Sequence, residues 1–185
     1  TYVYDSVGNR TKKTENGIAT TYTYNGLNQL LTESGGNINL TYQYDGNGNQ
    51  IGISGTADGS SVNKAFTYTP DNMLATYTEG TKTQENLYTG EGQRVQKKEG
   101  TDITNYFYQN GSVLYTNDGN GSMKSFNLLN VSDIFGTTRK NQGSEDYYLY
   151  TDDLKGSTVN VLDSTASPVV SYWYNDFGEA EESRA

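Results

Sequence analysis

Alternating acidic and amide side chains between Asp45 and Asn49 have the spacing with which a calcium-binding loop begins. An EF-hand loop uses side chains at its first, third and fifth positions, a Gly at the sixth and a bidentate Glu at the twelfth. Here the sixth position is Gln50 and the twelfth is Thr56. Asp118 begins a similar Asp-Gly-Asn-Gly run. We therefore expect both stretches to be hairpin turns, with no metal and no other cofactor.

Two pairs of neighbouring carboxylates have residue types suited to acid–base catalysis, Asp152 with Asp153 and Glu145 with Asp146. The chain has no His and no Cys, so the usual pairings of a nucleophile with a base are missing. Ser157 follows a Gly but does not lie in the G-x-S-x-G sequence of a hydrolase elbow. We predict that these groups form a solvated surface, that the chain has no catalytic residues, and that it is not an enzyme.

The tyrosines offer a third kind of chemistry, because aromatic faces stack on sugar rings. The candidate glycan-stacking residues are Tyr22, Tyr42 and Trp173. Aromatic hairpin repeats that bind sugars use Trp heavily, whereas this chain has one Trp and 17 Tyr. We favour a structural role for the tyrosine rows. A tyrosine-rich carbohydrate-binding or cell-surface module, with glycans as partners, remains the alternative.

The stretch around Asp45 is one copy of a repeated unit, Tyr42-Gln43-Tyr44-Asp45-Gly46-Asn47-Gly48-Asn49. Two aromatic residues one position apart precede an Asp/Asn/Gly turn, and a second segment returns. The second aromatic position recurs in steps of 20 to 24 residues, at Tyr4, Tyr24, Tyr44, Tyr68, Tyr88, Tyr108, Leu128, Tyr150 and Tyr174. A fixed period of this size indicates a repeat protein, in which each unit is one supersecondary element.

Each unit reads as two strands and two turns. In the first unit, alternation directs Tyr2 and Tyr4 to one face of a strand and Val3 to the other. Asn16-Gly17 is a strong signal for the second hairpin turn. We predict an all-β, antiparallel meander of about 16–18 strands, built from hairpins of about 20 residues. Sheets usually have about 2–10 strands. We therefore expect a curved or spiralling ribbon, a partial β-shell.

The residue between the two aromatic positions changes character along the chain. It is mostly polar early and mostly apolar later, in the order Val3, Thr23, Gln43, Thr67, Leu87, Phe107, Asn127, Leu149 and Trp173. A polar opposite face indicates a sheet buried on one side, and an apolar one indicates burial on both. We expect the last third of the chain to be packed, either against the ribbon itself or against a neighbour that this fragment lacks.

Composition excludes several classes of protein. The net charge is −9 and the 13 Lys and Arg are scattered, so the basic surface needed for nucleic-acid binding is missing. The absence of Cys excludes disulfides and thiolate metal sites. The chain contains no apolar run of about 18 residues, so the sequence predicts no membrane span. The chain begins inside a repeat and not with a signal peptide, so we expect it to be a piece of a longer protein.

Units of the form Tyr-x-Tyr-Asp-x-x-Gly-Asn resemble the YD repeats of the Rhs (rearrangement-hotspot) family, to which Tc-toxin shell components and teneurins are related. The last part of the chain is similar to the Rhs-associated core. This resemblance divides one continuous repeat domain into a YD-repeat array, 1–146, and core-like terminal repeats, 147–185. The residues it assigns to the structural motif are Tyr4, Asp5, Gly8, Tyr24, Tyr44, Asp45, Gly48, Tyr68, Tyr88, Gly92, Tyr108, Tyr150, Asp153, Gly156, Tyr174, Phe177 and Gly178.

Two positions depart from the family pattern. The family usually has a proline before the Phe that corresponds to Phe177, and this chain lacks it. Lys155 stands where the family frequently has Leu. The chain also stops before the family's self-cleaving aspartate motif, so the resemblance assigns no protease residues. What it implies is a hollow shell that encloses and presents a variable C-terminal toxin domain. The partners would then be the rest of the same polypeptide, and the protein would be bacterial and secreted or attached to the cell surface.

Overall fold

The computed structural model describes residues 1–131, 133–141, 143–175 and 178–184. All regular structure among these residues is β-strand, and the eighteen strands belong to one antiparallel sheet. The predicted all-β meander and its number of strands are therefore confirmed. No helix in the described ranges is long and apolar enough to cross a membrane.

The chain forms two compact units. Unit one comprises Thr1–Gly92 and Lys98–Thr101, and unit two comprises Gln93–Lys97 and Asp102–Ala185. The strand β10 (Arg94–Glu99) contributes residues to both units.

Unit one contains nine complete strands, each paired with its neighbours in chain order. They are β1 (Tyr2–Tyr4), β2 (Arg10–Glu15), β3 (Ile18–Tyr24), β4 (Leu30–Gly35), β5 (Ile38–Tyr44), β6 (Gln50–Ala57), β7 (Ser60–Tyr68), β8 (Leu74–Glu79) and β9 (Lys82–Tyr88). Five-residue turns follow the odd-numbered strands and two-residue turns follow the even-numbered ones. Because the strands are antiparallel, the five-residue turns of unit one share one edge of the sheet.

The two faces of unit one differ in burial, as the alternation predicts. We call the face that carries Tyr22 and Tyr42 the tyrosine face. Most of its side chains are half-buried or buried, with Tyr22 only 7% exposed and Asn86 only 5%, although Tyr4 and Ile18 are exposed. The opposite face is exposed and mainly polar, and Leu87 there is 57% exposed. Burial in unit one is therefore one-sided.

A β-bulge recurs just before the second tyrosine of the early repeats. The pairing register shifts between Val3 and Tyr4 and between Thr23 and Tyr24, and β5 and β7 repeat the shift at the equivalent place. A bulge bends the strand and re-aims the side chain that follows it. The second tyrosine is thereby directed back over the neighbouring strand.

Unit two contains eight complete strands. They are β11 (Asp102–Gln109), β12 (Ser112–Asn117), β13 (Met123–Leu129), β14 (Ile134–Asn141), β15 (Ser144–Asp152), β16 (Thr158–Leu162), β17 (Pro168–Tyr174) and β18 (Ala180–Arg184). Here the longer turns follow even-numbered strands too, at 118–122 and 163–167. The strict alternation of turn types in unit one is lost.

The pairing register in unit two corrects the predicted repeat frame. In β13 the bulge lies between Leu128 and Leu129, and Leu129 immediately precedes the turn. Leu129, and not Leu128, therefore occupies the second aromatic position. In β15 the bulge lies after Thr151, so that Asp152 holds this position and Tyr150 the first one. The sequence comparison missed both shifts because neither Leu129 nor Asp152 is aromatic.

The shift in β13 places Asn127 at the first aromatic position, on the face equivalent to the tyrosine face of unit one. Asn127 starts a buried polar row there. Its Nδ2 donates to Val113 O at 2.9 Å, and Thr137 Oγ1 donates to Asn127 Oδ1 at 2.8 Å. The hydroxyls of Thr116 and Ser125 are 2.7 Å apart and also buried. Every buried side-chain polar atom in the described ranges has a partner. The row is therefore compatible with a dry interior.

The opposite face of unit two carries the apolar residues for which the sequence predicted a cover. Phe107 stacks on Tyr115 with ring centroids 4.3 Å apart. Phe107, Leu149 and Trp173 nevertheless remain 37%, 41% and 50% exposed. These three side chains are therefore substantially exposed.

Candidate functional site

The turn that resembled a calcium loop is a hairpin clamp held by Asp45. Its Oδ1 accepts the backbone N–H of Asn47 at 2.9 Å and that of Asn49 at 2.8 Å, while Asn49 Nδ2 donates to Oδ2 at 3.0 Å. The backbone adds bonds from Asp45 N to Asn49 O and from Gly48 N to Asp45 O. These donors, led by the Asn49 amide, lower the pKa of Asp45. The carboxylate is engaged by its own turn.

The same clamp recurs in both units, although the clamping residue varies. Asp5 accepts the N–H groups of Val7 and Asn9, and Asn25 accepts those of Leu27 and Gln29. Equivalent bonds to the residues two and four positions on are made by Asp118, Asp153 and Asp163. A side-chain oxygen that caps its own turn does not need to be a carboxylate, which explains Asn at some repeats.

The fourth residue of each clamp has positive φ. Glycine occupies this position in several turns, including Gly48 at 88° and Gly156 at 81°. Asn28 and Asn72 both hold it at 60°, and Ala166 at 62°. Gly and Asn tolerate this conformation, whereas Ala is strained in it. The recurrent Gly of the motif is thus a backbone requirement.

The second tyrosine of the repeat donates its hydroxyl to the main chain of the neighbouring strand. Tyr24 Oη lies 2.9 Å from Arg10 O, at the point where β2 leaves the preceding turn. The other bonds of this kind are Tyr68 to Gln50 O (2.9 Å), Tyr88 to Leu74 O (2.8 Å), Tyr108 to Arg94 O (2.9 Å) and Tyr174 to Thr158 O (2.7 Å). Each hydroxyl therefore fastens one repeat to the one before it.

Side-chain amides also join adjacent turns. Asn9 Nδ2 donates to Asn28 Oδ1 at 2.9 Å, and Asn49 Nδ2 donates to Asn72 Oδ1 at 2.8 Å. Asn47 Nδ2 reaches the same Asn72 oxygen at 3.2 Å. The turn edge of unit one is thus held by side chains as well as by the strand ladder. Sequence reasoning missed these amides, although their fixed place in each turn was a usable signal.

The first aromatic position serves packing. The Arg10 guanidinium lies 4.6 Å from the centre of the Tyr22 ring and 5.8 Å from that of Tyr2. Burial raises the pKa of Tyr22. Tyr42 is half-buried and donates to Glu33 Oε2 at 3.0 Å, and burial followed by this bond raises its pKa as well. At Tyr22, the cation already occupies the surface a sugar would use.

Trp173 is the most accessible of the three candidate glycan-stacking residues. It is 50% exposed, and its indole Nε1 donates to Glu181 Oε2 at 2.7 Å. An open groove beside it is lined by Lys155, Tyr172 and Tyr174, among others. Tyr22 and Tyr42 belong to unit one and Trp173 to unit two.

The paired carboxylates are used separately. Asp153 accepts the N–H of Lys155 at 2.8 Å and of Ser157 at 3.0 Å, and these bonds lower its pKa. Asp152 is the exposed residue before that turn. A lowered pKa keeps Asp153 ionised and makes it a poor general acid. Ser157 belongs to the same clamp.

Glu145 and Asp146 lie on β15 opposite two cations of β14. Their register partners are Lys140 and Arg139. Opposite charges directly across an antiparallel pair stabilise the pairing. These two carboxylates therefore read as strand-pairing residues.

The remaining predicted motif residues occupy repeat positions. Tyr4 and Tyr44 precede clamped turns, while Gly8 and Gly178 have positive φ in such turns. Gly92 has φ 85° in the turn after β9. Phe177 lies outside the described residues.

Comparisons with known proteins agree with this repeat architecture. A profile described as RHS Repeat matches residues 4–38. The tRNA3(Ser)-specific nuclease WapA of Bacillus spizizenii is 29% identical over 196 residues, and the tRNA nuclease WapA of Bacillus subtilis (strain 168) is 30% identical over 195. Each alignment covers 100% of this chain and 8% of the relative, so the chain spans a small part of their length.

Among solved structures, a chain of the crystal structure of TcdB2-TccC3-Cdc42 matches all of this chain and 16% of its own length. The TM-score is 0.50 and the sequence identity 12%, which supports a shared fold. The repeat spacing, the clamped turns and the matches to RHS Repeat and WapA lead to one assignment. The chain is an array of Rhs-type YD repeats.

Proposed function

We propose that this chain is a structural wall, a stretch of an Rhs-type shell that encloses and presents a C-terminal toxin domain. The observation that carries the proposal is that the polar side chains of the repeat form hydrogen bonds within the fold itself. Asp and Asn side chains clamp their own turns, and Tyr hydroxyls bond to the preceding strand. Such a lattice can be extended by further repeats, with each unit stabilised by its neighbours.

Of the two faces of unit one, the tyrosine face is the better candidate for the inner surface of the shell. Beyond the first strand its aromatic side chains are half-buried or buried, whereas the opposite face presents polar residues such as Thr23 and Thr67 to solvent. A wall with water outside needs this asymmetry. In unit two, apolar residues on the opposite face, such as Leu149 and Trp173, suit a region where the ribbon narrows or plugs the shell.

The proposed role is non-enzymatic. The clamps engage Asp45 and Asp153, and the chain offers neither His nor Cys as a base or nucleophile. The WapA relatives are nucleases, but this chain corresponds to only 8% of their length. We place any such activity of the whole protein outside the matched region. The partners of this chain would be the rest of its own polypeptide, in a bacterial protein that is secreted or attached to the cell surface.

Limited proteolysis of the whole protein tests the proposal. The C-terminal domain should resist digestion in the whole protein and be cut readily when produced alone. Replacing Tyr24 and Tyr68 with Ala should open the wall and restore cleavage of the C-terminal domain. Tyr4→Ala, at a residue that is 50% exposed, is the matched control and should leave protection intact. Equal cleavage of the C-terminal domain in the folded whole protein and in isolation would overturn the proposal.

A further inference from the structure

Five Asn-Gly dipeptides lie in the turns of this chain, and the structure holds them in two different ways. They begin at Asn16, Asn25, Asn47, Asn110 and Asn120. Asn-Gly is the dipeptide best suited to succinimide formation, because Gly adds no side chain that hinders attack by its nitrogen. Since the dipeptide is constant, differences in reactivity among the five must come from the surrounding structure.

Asn16 and Asn110 occupy exposed two-residue hairpin tips. Both residues of each tip have positive φ, 49° and 79° at Asn16-Gly17 and 51° and 85° at Asn110-Gly111. Within the described part of the chain, neither the Asn side chain nor the Gly nitrogen of either tip has a hydrogen-bond partner. A hairpin tip can therefore distort into an attack geometry without breaking a bond of the ladder, as is usual for exposed loop tips.

The other three dipeptides are held by the turn clamp. Asn25 Oδ1 accepts two backbone N–H groups and its Nδ2 donates to Gln29 Oε1 at 2.6 Å. At Asn47 and Asn120 the attacking nitrogen itself is occupied, because Gly48 N and Gly121 N each donate to a clamp carbonyl at 3.1 Å. In all three, reaction requires hydrogen bonds to break first.

We propose that Asn16 and Asn110 are sites of spontaneous deamidation in the folded protein and that the clamp protects the other three. The Gly nitrogen attacks Asn Cγ, the new N–Cγ bond closes a succinimide, and the Cγ–Nδ2 bond breaks. Nδ2 leaves as ammonia with the proton from the Gly nitrogen. Water then opens the ring at either carbonyl. Breaking the Cγ–N bond gives Asp, and breaking the bond from the main-chain carbonyl carbon to N gives isoaspartate.

The products change the tips in a definite way. Each event replaces a neutral amide with a carboxylate and makes the net charge of −9 more negative. Isoaspartate also adds a methylene to the main chain of a two-residue turn. The length of that turn sets the register of its strands. Pairing at Glu15 with Ile18 and at Gln109 with Ser112 should therefore loosen.

The test is site-resolved mass spectrometry of the native protein aged in mildly alkaline buffer, with electron-transfer fragmentation to separate aspartate from isoaspartate. Asn16 and Asn110 should convert roughly tenfold or more faster than the clamped three, the factor expected when one or two net hydrogen bonds must break. In concentrated urea the five rates should converge, because the dipeptide is the same. Equal rates in the native protein, or faster reaction at a clamped site, would overturn the proposal.

A variant separates the clamp from other kinds of protection. Gln29→Ala removes the acceptor of Asn25 Nδ2 and should accelerate deamidation at Asn25 while leaving the rate at Asn16 unchanged. Acceleration at both sites would indicate general loosening of the fold and would refute a specific effect of the clamp. No acceleration at Asn25 would refute it as well. Asn16→Gln and Asn110→Gln should each abolish the signal at the substituted tip.

Discussion

Replacing Tyr24 with Phe removes a single oxygen, the one whose hydrogen bond fastens β3 to the start of β2. Tyr24 Oη donates to Arg10 O at 2.9 Å in a partly buried setting. A neutral hydrogen bond contributes about 0.5–1.5 kcal/mol net, and an acceptor left without its partner adds a cost. We therefore expect Tyr24→Phe to lower the free energy of unfolding by about 1 kcal/mol.

Tyr4→Phe is the matched control for this change. Tyr4 stands at the same repeat position but belongs to the first strand, is 50% exposed, and has no hydroxyl partner among the described residues. Its substitution should stay within about 0.5 kcal/mol of the parent. Tyr68→Phe should resemble Tyr24→Phe, and the double variant should lose about 2 kcal/mol because the two bonds share no partner.

Urea unfolding followed by far-ultraviolet circular dichroism measures these differences, with the curves fitted to a nearest-neighbour repeat scheme. The free energy of unfolding falls by about 1–3 kcal/mol per molar urea, so a loss of about 1 kcal/mol in stability moves the urea midpoint by roughly 0.3–1 M. If Tyr24→Phe moves the midpoint no further than Tyr4→Phe does, the hydroxyl does not fasten the repeats and the reasoning is refuted.

Three further predictions concern the turns and the exposed aromatic residue. The hydrogen bonds to Asp45 lower its pKa below the ordinary value of 3.8. Its contribution to stability is therefore present above about pH 4 and is lost as the pH falls through the folded-state pKa. Asp45→Asn should flatten the acid side of a plot of unfolding free energy against pH, and an unchanged acid side would contradict the clamp. Gly156→Ala, at φ 81° with open space around the new Cβ, should cost about 1–2 kcal/mol, and Ala166→Gly, at φ 62°, should gain a similar amount, both checked by thermal unfolding. If glycans bind, a polysaccharide pull-down should weaken with Trp173→Ala and not with Tyr22→Phe, and binding that survives Trp173→Ala would exclude that residue.

Much of the fold follows from local patterns in the sequence. Alternation around Tyr22 and Tyr42 placed the tyrosines on one face, and the Asp/Gly/Asn spacing identified the turns. Both are short-range rules, determined by the pleat of a strand and by backbone geometry. The resemblance to YD repeats rests on the same residues, which is why it extended over the whole chain.

The errors in the sequence reading came from pairing register. Leu129 and Asp152 hold the second aromatic position only because a bulge precedes each of them, and a bulge leaves no mark in the composition. The links between repeats were missed for a related reason. The bond from Tyr24 to Arg10 O depends on how the bulge aims the ring across the neighbouring strand, which a list of residue types does not contain.

Electron cryo-microscopy of the whole protein tests the central claim most directly. If the chain is a shell wall, density for residues 1–185 should form part of a continuous sheet around an enclosed polypeptide, with the tyrosine face of unit one turned toward it. Density that places the C-terminal domain outside the sheet, or that turns the tyrosine face of unit one to bulk solvent, would contradict the account.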